Sequence, residues 1–348
     1  MRTLTRRDLN RAVLARQLLL ERTDLPLPAA LERMAGLQAQ YAPSMYVGLW
    51  SRLEGFERAA LDEALERRSV VLGTLMRTTI HLVAREDYWP FALAVRADRR
   101  AWWLKVVRDA PSPQAMAGAA RAVRRALAGG TLSRRELEAL VGRERFAGVG
   151  LWIELVRAPP SGTWERRRAD LFAAAEDWLG PPALGVAAAE EHLVHRYLGA
   201  FGPAPEADVA RWAGLPPASL RGALARLQLR RFRGERGEEL LDLPGAPLPD
   251  PETPAPPRLL GTFDASLLAV HARRTGFLPE AHRPRFFDTK RPQSLPPFTV
   301  DGVVRGAWRH ERGKVELEPF ERIDAAAMRA LREEADRLAD LHAMRSQR

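Results

Sequence analysis

The chain has 348 residues, enough for two or three domains of ordinary size, and its 46% hydrophobic and 28% charged content fits folded units with real cores. A net charge of +10 and a pI near 10.8 favour a polyanionic partner, most simply nucleic acid; only Lys105, Lys290 and Lys314 are lysines, so an arginine-rich coding bias is the competing explanation. The absence of cysteine excludes disulfides and thiolate metal sites, no apolar run nears the roughly 18 residues of a membrane span, and Met1 to Asp8 lack a signal peptide's apolar core, so the chain reads as cytoplasmic and, from its charge, nucleoid-associated.

Thr5 or Asp8 caps a first helix with Leu9, Val13, Leu14 and Leu18 as its apolar stripe. A second helix is predicted from about Ala29 to Gln40, with Pro43 stopping the helical run just beyond it. Ser44 caps a third helix, and a fourth runs from about Glu57 to Arg68. Val70–Met76 and Thr78–Val83 are β-branched and near-alternating, which predicts a hairpin. Short helices followed by a hairpin outline a winged helix, closed by a long helix over about Glu86 to Val107.

Ala110–Pro113 is the first candidate boundary. Beyond it, Ser133 with Glu136 forms a capping box, a helix is expected over about Gly150–Val156, and Ala158–Trp164 could carry a second wing. Pro181-Pro182 marks the second boundary. Glu206–Trp212 and Pro217–Leu227, joined through Gly214, make the best helix-turn-helix candidate, with Phe232–Leu243 as its wing. After the Pro-rich stretch 244–257, an Asp301-Gly302 turn between β-branched runs signals a hairpin, Lys314–Phe320 adds a strand, and a helix from about Ala325 to Leu341 ends the chain. The expected architecture is therefore mainly α with small β-sheets (α+β). Three tandem winged helices over 1–110, 111–182 and 183–348 are predicted, the last carrying the C-terminal β meander and final helix.

Charge concentrates late in the chain. Arg258 to Lys314 hold eleven Arg and Lys against five Asp and Glu. The run Arg283–Pro292 is basic and loop-like, so Arg285, Lys290 and Arg291 are candidate phosphate contacts, while Phe286 and Phe287 read better as anchors to the core. Arg221 on the second helix of the helix-turn-helix, with Arg226, Arg230, Arg231 and Arg233 nearby, is another DNA-binding candidate. Arg77 and His81 lie on or beside the first wing; His81 reads as a structural histidine more readily than as a functional one.

Seven scattered histidines lack zinc-site spacing, no glycine-rich phosphate loop follows a strand, and no nucleophile elbow occurs. Neither a metal nor a nucleotide cofactor is therefore expected. What remains is Gly36-Leu37-Gln38-Ala39-Gln40-Tyr41-Ala42-Pro43, two amides at a predicted helix end. Residues i and i+2 of a helix do not share a face, so their convergence requires the helix to stop there. A helix C-terminus would also favour a nearby cation.

This stretch, followed by Val47-Gly48-Leu49-Trp50-Ser51-Arg52-Leu53, resembles the winged-helix DNA glycosylases of the AlkZ and AlkX (YcaQ) type. Leu75–Val83, Ala200-Phe201-Gly202-Pro203 and Val300–Arg309 extend the resemblance over nearly the whole chain. It implies tandem winged helices around a basic channel for double-stranded DNA, a monomer, and excision of N7-alkylated guanine. It also implies Gln38 and Gln40 as the catalytic pair, in the two-glutamine form associated with bulky lesions and interstrand cross-links; the AlkX branch carries Asp where Gln40 stands. The competing expectation is a non-catalytic winged-helix DNA-binding protein, a regulator or an architectural protein, motivated by the arginines around Arg221.

Overall fold

The computed structural model describes residues 1–268, 275–287 and 295–344. Among these residues, helices alternate with short strands: β1 (Thr3–Leu4), β2 (Leu37–Gln38), β3 (Val70–Thr74), β4 (Ile80–Ala84), β5 (Leu132–Ser133), β6 (Leu155–Arg157), β7 (Leu171–Ala174), β8 (Arg230–Gly234), β9 (Glu239–Asp242), β10 (Arg258–Leu259), β11 (Pro297–Val300), β12 (Val303–Glu311) and β13 (Lys314–Pro319). Three sheets result, ordered β2-β4-β3-β6-β7-β5, β1-β8-β9 and β10-β11-β12-β13. This is the expected helix-rich α+β class.

Local chemistry sets many of the boundaries. Thr5 caps the helix Arg6–Arg16 in a reciprocal box with Asp8, and Ser133 with Glu136 does the same for Arg134–Val141. The hairpin β3–β4 and the long helix Arg85–Val106 fall where the pattern places them. The helices Glu206–Ala213 and Arg221–Arg226, the ribbon β8–β9 and the Asp301-Gly302 turn between β11 and β12 do so as well.

Three expectations fail. Ser44 caps no helix: it lies inside the helix Ala42–Trp50, whose N-cap position is Tyr41. The second helix spans Leu27–Met34 and does not reach Gln40. Ala35 and Gly36 take left-handed conformations with φ of 58° and 78°, which end the helix and turn the chain into β2. Gly36 is required there: a Cβ would lie 2.8 Å from the Leu82 carbonyl oxygen and from a Val83 methyl. Pro43 stops nothing. It lies in the first turn of the next helix, Ala42–Trp50, where its missing N–H costs no hydrogen bond. Residues 150–156 are not a helix either; Arg143–Val149 is helical and Leu155–Arg157 is β6.

Hydrogen bonding crosses both candidate boundaries. β6 and β7 extend the sheet of β2, β4 and β3 through the pairing of Leu72 with Arg157 and Gly73 with Val156. β1 pairs in parallel with β8, more than 200 residues away. The main core runs from Leu31, Met45 and Phe91 to Tyr197, Trp212 and Leu338, so one apolar interior serves the beginning, middle and end of the chain.

Several arginines are structural. Arg16 and Asp242, both 0% exposed, form a bidentate pair at 2.7 and 3.1 Å, and Arg16 also donates to the carbonyls of Leu198 and Pro247. Arg52 pairs with buried Asp264 through two 2.9 Å bonds. Glu334 receives Arg22, Arg258 and Arg337. The buried Arg16, Arg52 and Arg258 fix long-range contacts, and their charge is unavailable to an external partner.

Candidate active site

β2 is the edge strand of the six-stranded sheet, paired antiparallel to β4 with Leu37 opposite Leu82 and Gln38 opposite His81. The Ala39 N–H donates to the Ile80 carbonyl at 2.8 Å, which carries the extended path past Gln38. In extended chain, residues two apart lie on one side and the residue between them on the other. Burial follows that rule: Ala39 is 5% exposed and joins the main core, Gln38 is half-buried and Gln40 is exposed. The two amides lie on one side of the chain because it is extended here, and a small aliphatic residue separates them because its position faces the core.

Each amide is oriented by a donor. Arg77 Nη2 donates to Gln38 Oε1 at 2.9 Å, and the Ile80 N–H donates to Gln40 Oε1 at 3.2 Å. Each carbonyl oxygen keeps a second lone pair, and each NH₂ faces away from its carbonyl's donor. Together they can hold a water by both donation and acceptance.

His81 lies behind this pair, 2% exposed, with Nδ1 3.0 Å from the Thr79 carbonyl. That carbonyl only accepts, so Nδ1 carries the proton and Nε2 turns its lone pair toward Arg77 Nη2, 3.5 Å away. Burial, with Arg77 second, pushes the His81 pKa down to about 3, so the ring is neutral at physiological pH. Burial likewise lowers the Arg77 pKa to about 10, which leaves its guanidinium charged.

Gln40 opens on a groove of about 680 Å³ between the first hairpin and the middle of the chain. Thr74, Thr78, Ile80, Arg99, Arg157 and Arg168 are among its lining residues. Arg157 bonds the Thr74 hydroxyl at 2.9 Å and lies over the Phe172 ring. Arg99 donates to the Thr74 carbonyl at 3.1 Å. Burial lowers the pKa of both, that of Arg157 to about 10, which leaves Arg157 cationic. Beside Gln40, Arg167 bonds the Tyr41 hydroxyl at 3.2 Å. The groove lining carries Arg99, Arg134, Arg157 and Arg168 against Glu154 and Asp170, an excess of positive charge that suits a phosphate backbone.

A family model of AlkZ-like DNA glycosylases matches residues 31–341. The chain belongs to this family. The glycosylase is 25% identical over 357 residues to the interstrand DNA cross-link repair glycosylase of Streptomyces sahachiroi, with 93% of each protein covered. Its fold matches that of Streptomyces sahachiroi DNA glycosylase AlkZ with a TM-score of 0.82 at 23% identity, over 99% of this chain and 98% of the other.

The glycosylase brings Gln38, Gln40, Arg77 and His81 together. Arg221 begins the helix Arg221–Arg226, its side chain 73% exposed and 3.8 Å from Glu206. Its neighbours are more committed: Arg226 pairs with Glu191, Arg230 with Asp242 and Arg231 with Glu239. Arg285 is exposed and stacks its guanidinium over Phe320 at 4.4 Å. Phe286 is buried as an anchor, whereas Phe287 is 38% exposed beneath Arg283. Lys290 and Arg291 lie outside the described residues. Sequence reasoning missed Arg99, Arg157 and Arg168, which line the groove with Gln40; Arg157 is brought there by the β3–β6 pairing, a long-range contact with no local signature.

The buried histidines make the glycosylase acid-sensitive. His81, with a folded pKa near 3, and His342, lowered to about 4 by burial and by His310, stay neutral while an unfolded chain takes up protons below about pH 6.5. The unfolded state then binds more protons, so stability falls with pH from about 6.5 toward 4, by about 1.4 kcal/mol per pH unit for each such histidine. Urea unfolding at pH 7 and pH 4.5 should show this loss. His81→Asn, which retains an N–H for the Thr79 carbonyl, should show a smaller one.

Proposed function

We propose that this glycosylase hydrolyses the N-glycosyl bond of N7-alkylated guanine in double-stranded DNA, including bulky adducts and interstrand cross-links, with Gln38 and Gln40 as the catalytic pair. The observation that carries the reading is a pair of amides two residues apart on the path of an edge strand, each oriented by a donor, with Gln40 opening on an arginine-rich groove. The cross-link repair named for the Streptomyces sahachiroi relative supports the wider substrate range.

The chemistry fits the substrate. An N7-alkylguanine is cationic and leaves as a neutral base, so departure needs little help from an acid. An amide has no useful pKa and cannot act as an ordinary general base. Its work is electrostatic and positional: the carbonyl lone pairs accept the protons of one water, aim its oxygen at C1′ and stabilise the positive charge that develops on the sugar. His81, neutral and closed to solvent, stands opposite Gln38 across the ladder and beside Arg77. An edge strand above an open groove accepts a lesion of any breadth, and does not require a deep pocket for a flipped base. The helix-turn-helix carrying Arg221, and the segment with Arg285, would hold flanking duplex, each as part of a winged-helix unit.

A duplex cross-linked at guanine N7 by a nitrogen mustard tests the reading. The protein should release the cross-linked strands and leave alkali-labile sites. Sequence-preferring binding to undamaged duplex with no such release would favour a DNA-binding regulator instead.

A further inference from the structure

Arg77 holds an unusual conformation for a reason that DNA contact does not explain. It and Thr78 adopt left-handed backbone, φ 51° and 61°, in the tight connection between β3 and β4. For side chains other than glycine that conformation is strained, and such strain persists only where surrounding structure enforces it. Here the turn of the helix-turn-helix enforces it. Gly214, itself at φ 76°, lies so close that a Cβ on it would sit 3.0 Å from both the N and the Cα of Arg77. The guanidinium then faces two ways. Nη1 donates to the Trp212 carbonyl in that same turn, and Nη2 donates to Gln38 Oε1. Trp212 is 3% exposed and packs against Phe91 and Tyr197, so one end of the bridge is anchored in the core.

We propose that Arg77 is a positioning residue: by bridging the Trp212 carbonyl and the Gln38 amide, it fixes the plane of Gln38 and ties it to the helix-turn-helix at residues 206–226. The inference rests on the reading of Gln38 as catalytic. In the bridge, both terminal nitrogens of Arg77 meet protein acceptors. The charge-assisted bond also sets which face of the Gln38 amide meets the water. A lysine cannot reproduce it, because a single ammonium lacks the planar fork that spans two acceptors.

The test separates this role from a phosphate contact. Single-turnover release of base from N7-methylguanine duplex, and duplex affinity over a range of salt, would be measured for wild type, Arg77→Ala, Arg77→Lys, Gly214→Ala and Gln38→Ala. The expected result is a fall of up to about 100-fold in the rate for both Arg77 variants, with affinity within about threefold and an unchanged salt slope. Gly214→Ala, which displaces Arg77 without touching the site, should lower the rate in the same sense. Guanidinium at non-denaturing concentration should recover part of the rate in Arg77→Ala and none in Arg77→Lys, which a general loss of folding would not do. An unchanged rate with weaker affinity, and a salt slope reduced by about one, would make Arg77 a phosphate contact and overturn the proposal. If Gln38→Ala keeps full activity, the reading of Gln38 fails first. If Gln38→Ala is inactive while the Arg77 and Gly214 variants keep the wild-type rate, the bridge alone is refuted.

Discussion

Replacing Gln38 and Gln40 together by alanine should abolish base release while leaving DNA binding nearly intact. Single dipoles aimed at charge in a transition state are worth about 10²- to 10³-fold in rate when removed. The two amides share one water, so their effects should not multiply, and a combined loss of about 10³-fold or more is expected. Neither glutamine belongs to the cationic set that would hold phosphates, namely Arg99, Arg157 and Arg168 in the groove. Affinity measured by anisotropy at fixed salt should therefore change by no more than about threefold. The single variants should differ. Gln40 is exposed and bonded only to a backbone N–H, so Gln40→Ala costs activity alone. Gln38→Ala also leaves Arg77 Nη2 without its acceptor while Nη1 keeps the Trp212 carbonyl, and should lower stability by about 1 to 3 kcal/mol.

The largest stability effect is expected at Asp242. Its carboxylate is 0% exposed and receives Arg16 through both oxygens and Arg230 at 2.7 Å. Asp242→Ala strands the guanidinium of Arg16, which is itself 0% exposed, in a site with no water to solvate it. Removing one partner of a buried pair costs about 3 to 5 kcal/mol, because the other charge stays behind. Replacing both sides by apolar groups of similar volume, Arg16→Met with Asp242→Leu, should cost much less. Urea unfolding of the three proteins at neutral pH checks both statements. Arg16 lies in the first helix and Asp242 in β9, so the pair also fixes the N-terminal helix against the later ribbon.

Elements with a strong local signal were legible in the sequence. Alternating β-branched residues gave β3 and β4, the Asp-Gly turn gave the hairpin of β11 and β12, and capping residues gave the starts of the helices at Arg6 and Arg134. What was not legible depends on distant partners. β2 is two residues long and exists because β4 offers it a ladder, so nothing within Leu37-Gln38-Ala39 distinguishes it from the end of a helix. The decisive residues were Ala35 and Gly36, whose left-handed turn ends the helix early. Leu151 to Val156 is a short apolar run compatible with either period, and only its pairing partners decide that Leu155–Arg157 is strand.

The positive charge was legible as an amount and illegible as a distribution. Arg11, Arg16 and Arg52 are 0% exposed and serve internal carboxylates and carbonyls, so part of the +10 balance belongs to the architecture. The cations that matter at the groove, Arg99, Arg157 and Arg168, come from helix Arg85–Val106, from β6 and from the loop before β7. No spacing in the sequence relates them to Gln40. The motif itself was legible through family resemblance, but its geometry was inverted. The sequence places the motif at a helix end, where the two amides share a side only if the helix stops; in the structure the helix stops earlier, at Met34, and extended chain puts both amides on one side.

The most direct measurement is the product analysis of a duplex carrying one N7-methylguanine, incubated with excess purified protein and examined by mass spectrometry. The account predicts free N7-methylguanine in equal amount with an intact strand bearing one abasic site, formed faster than in the protein-free control and lost in the Gln38→Ala, Gln40→Ala protein. Binding of that duplex with no release above the control would contradict it, and so would release that survives in the double variant.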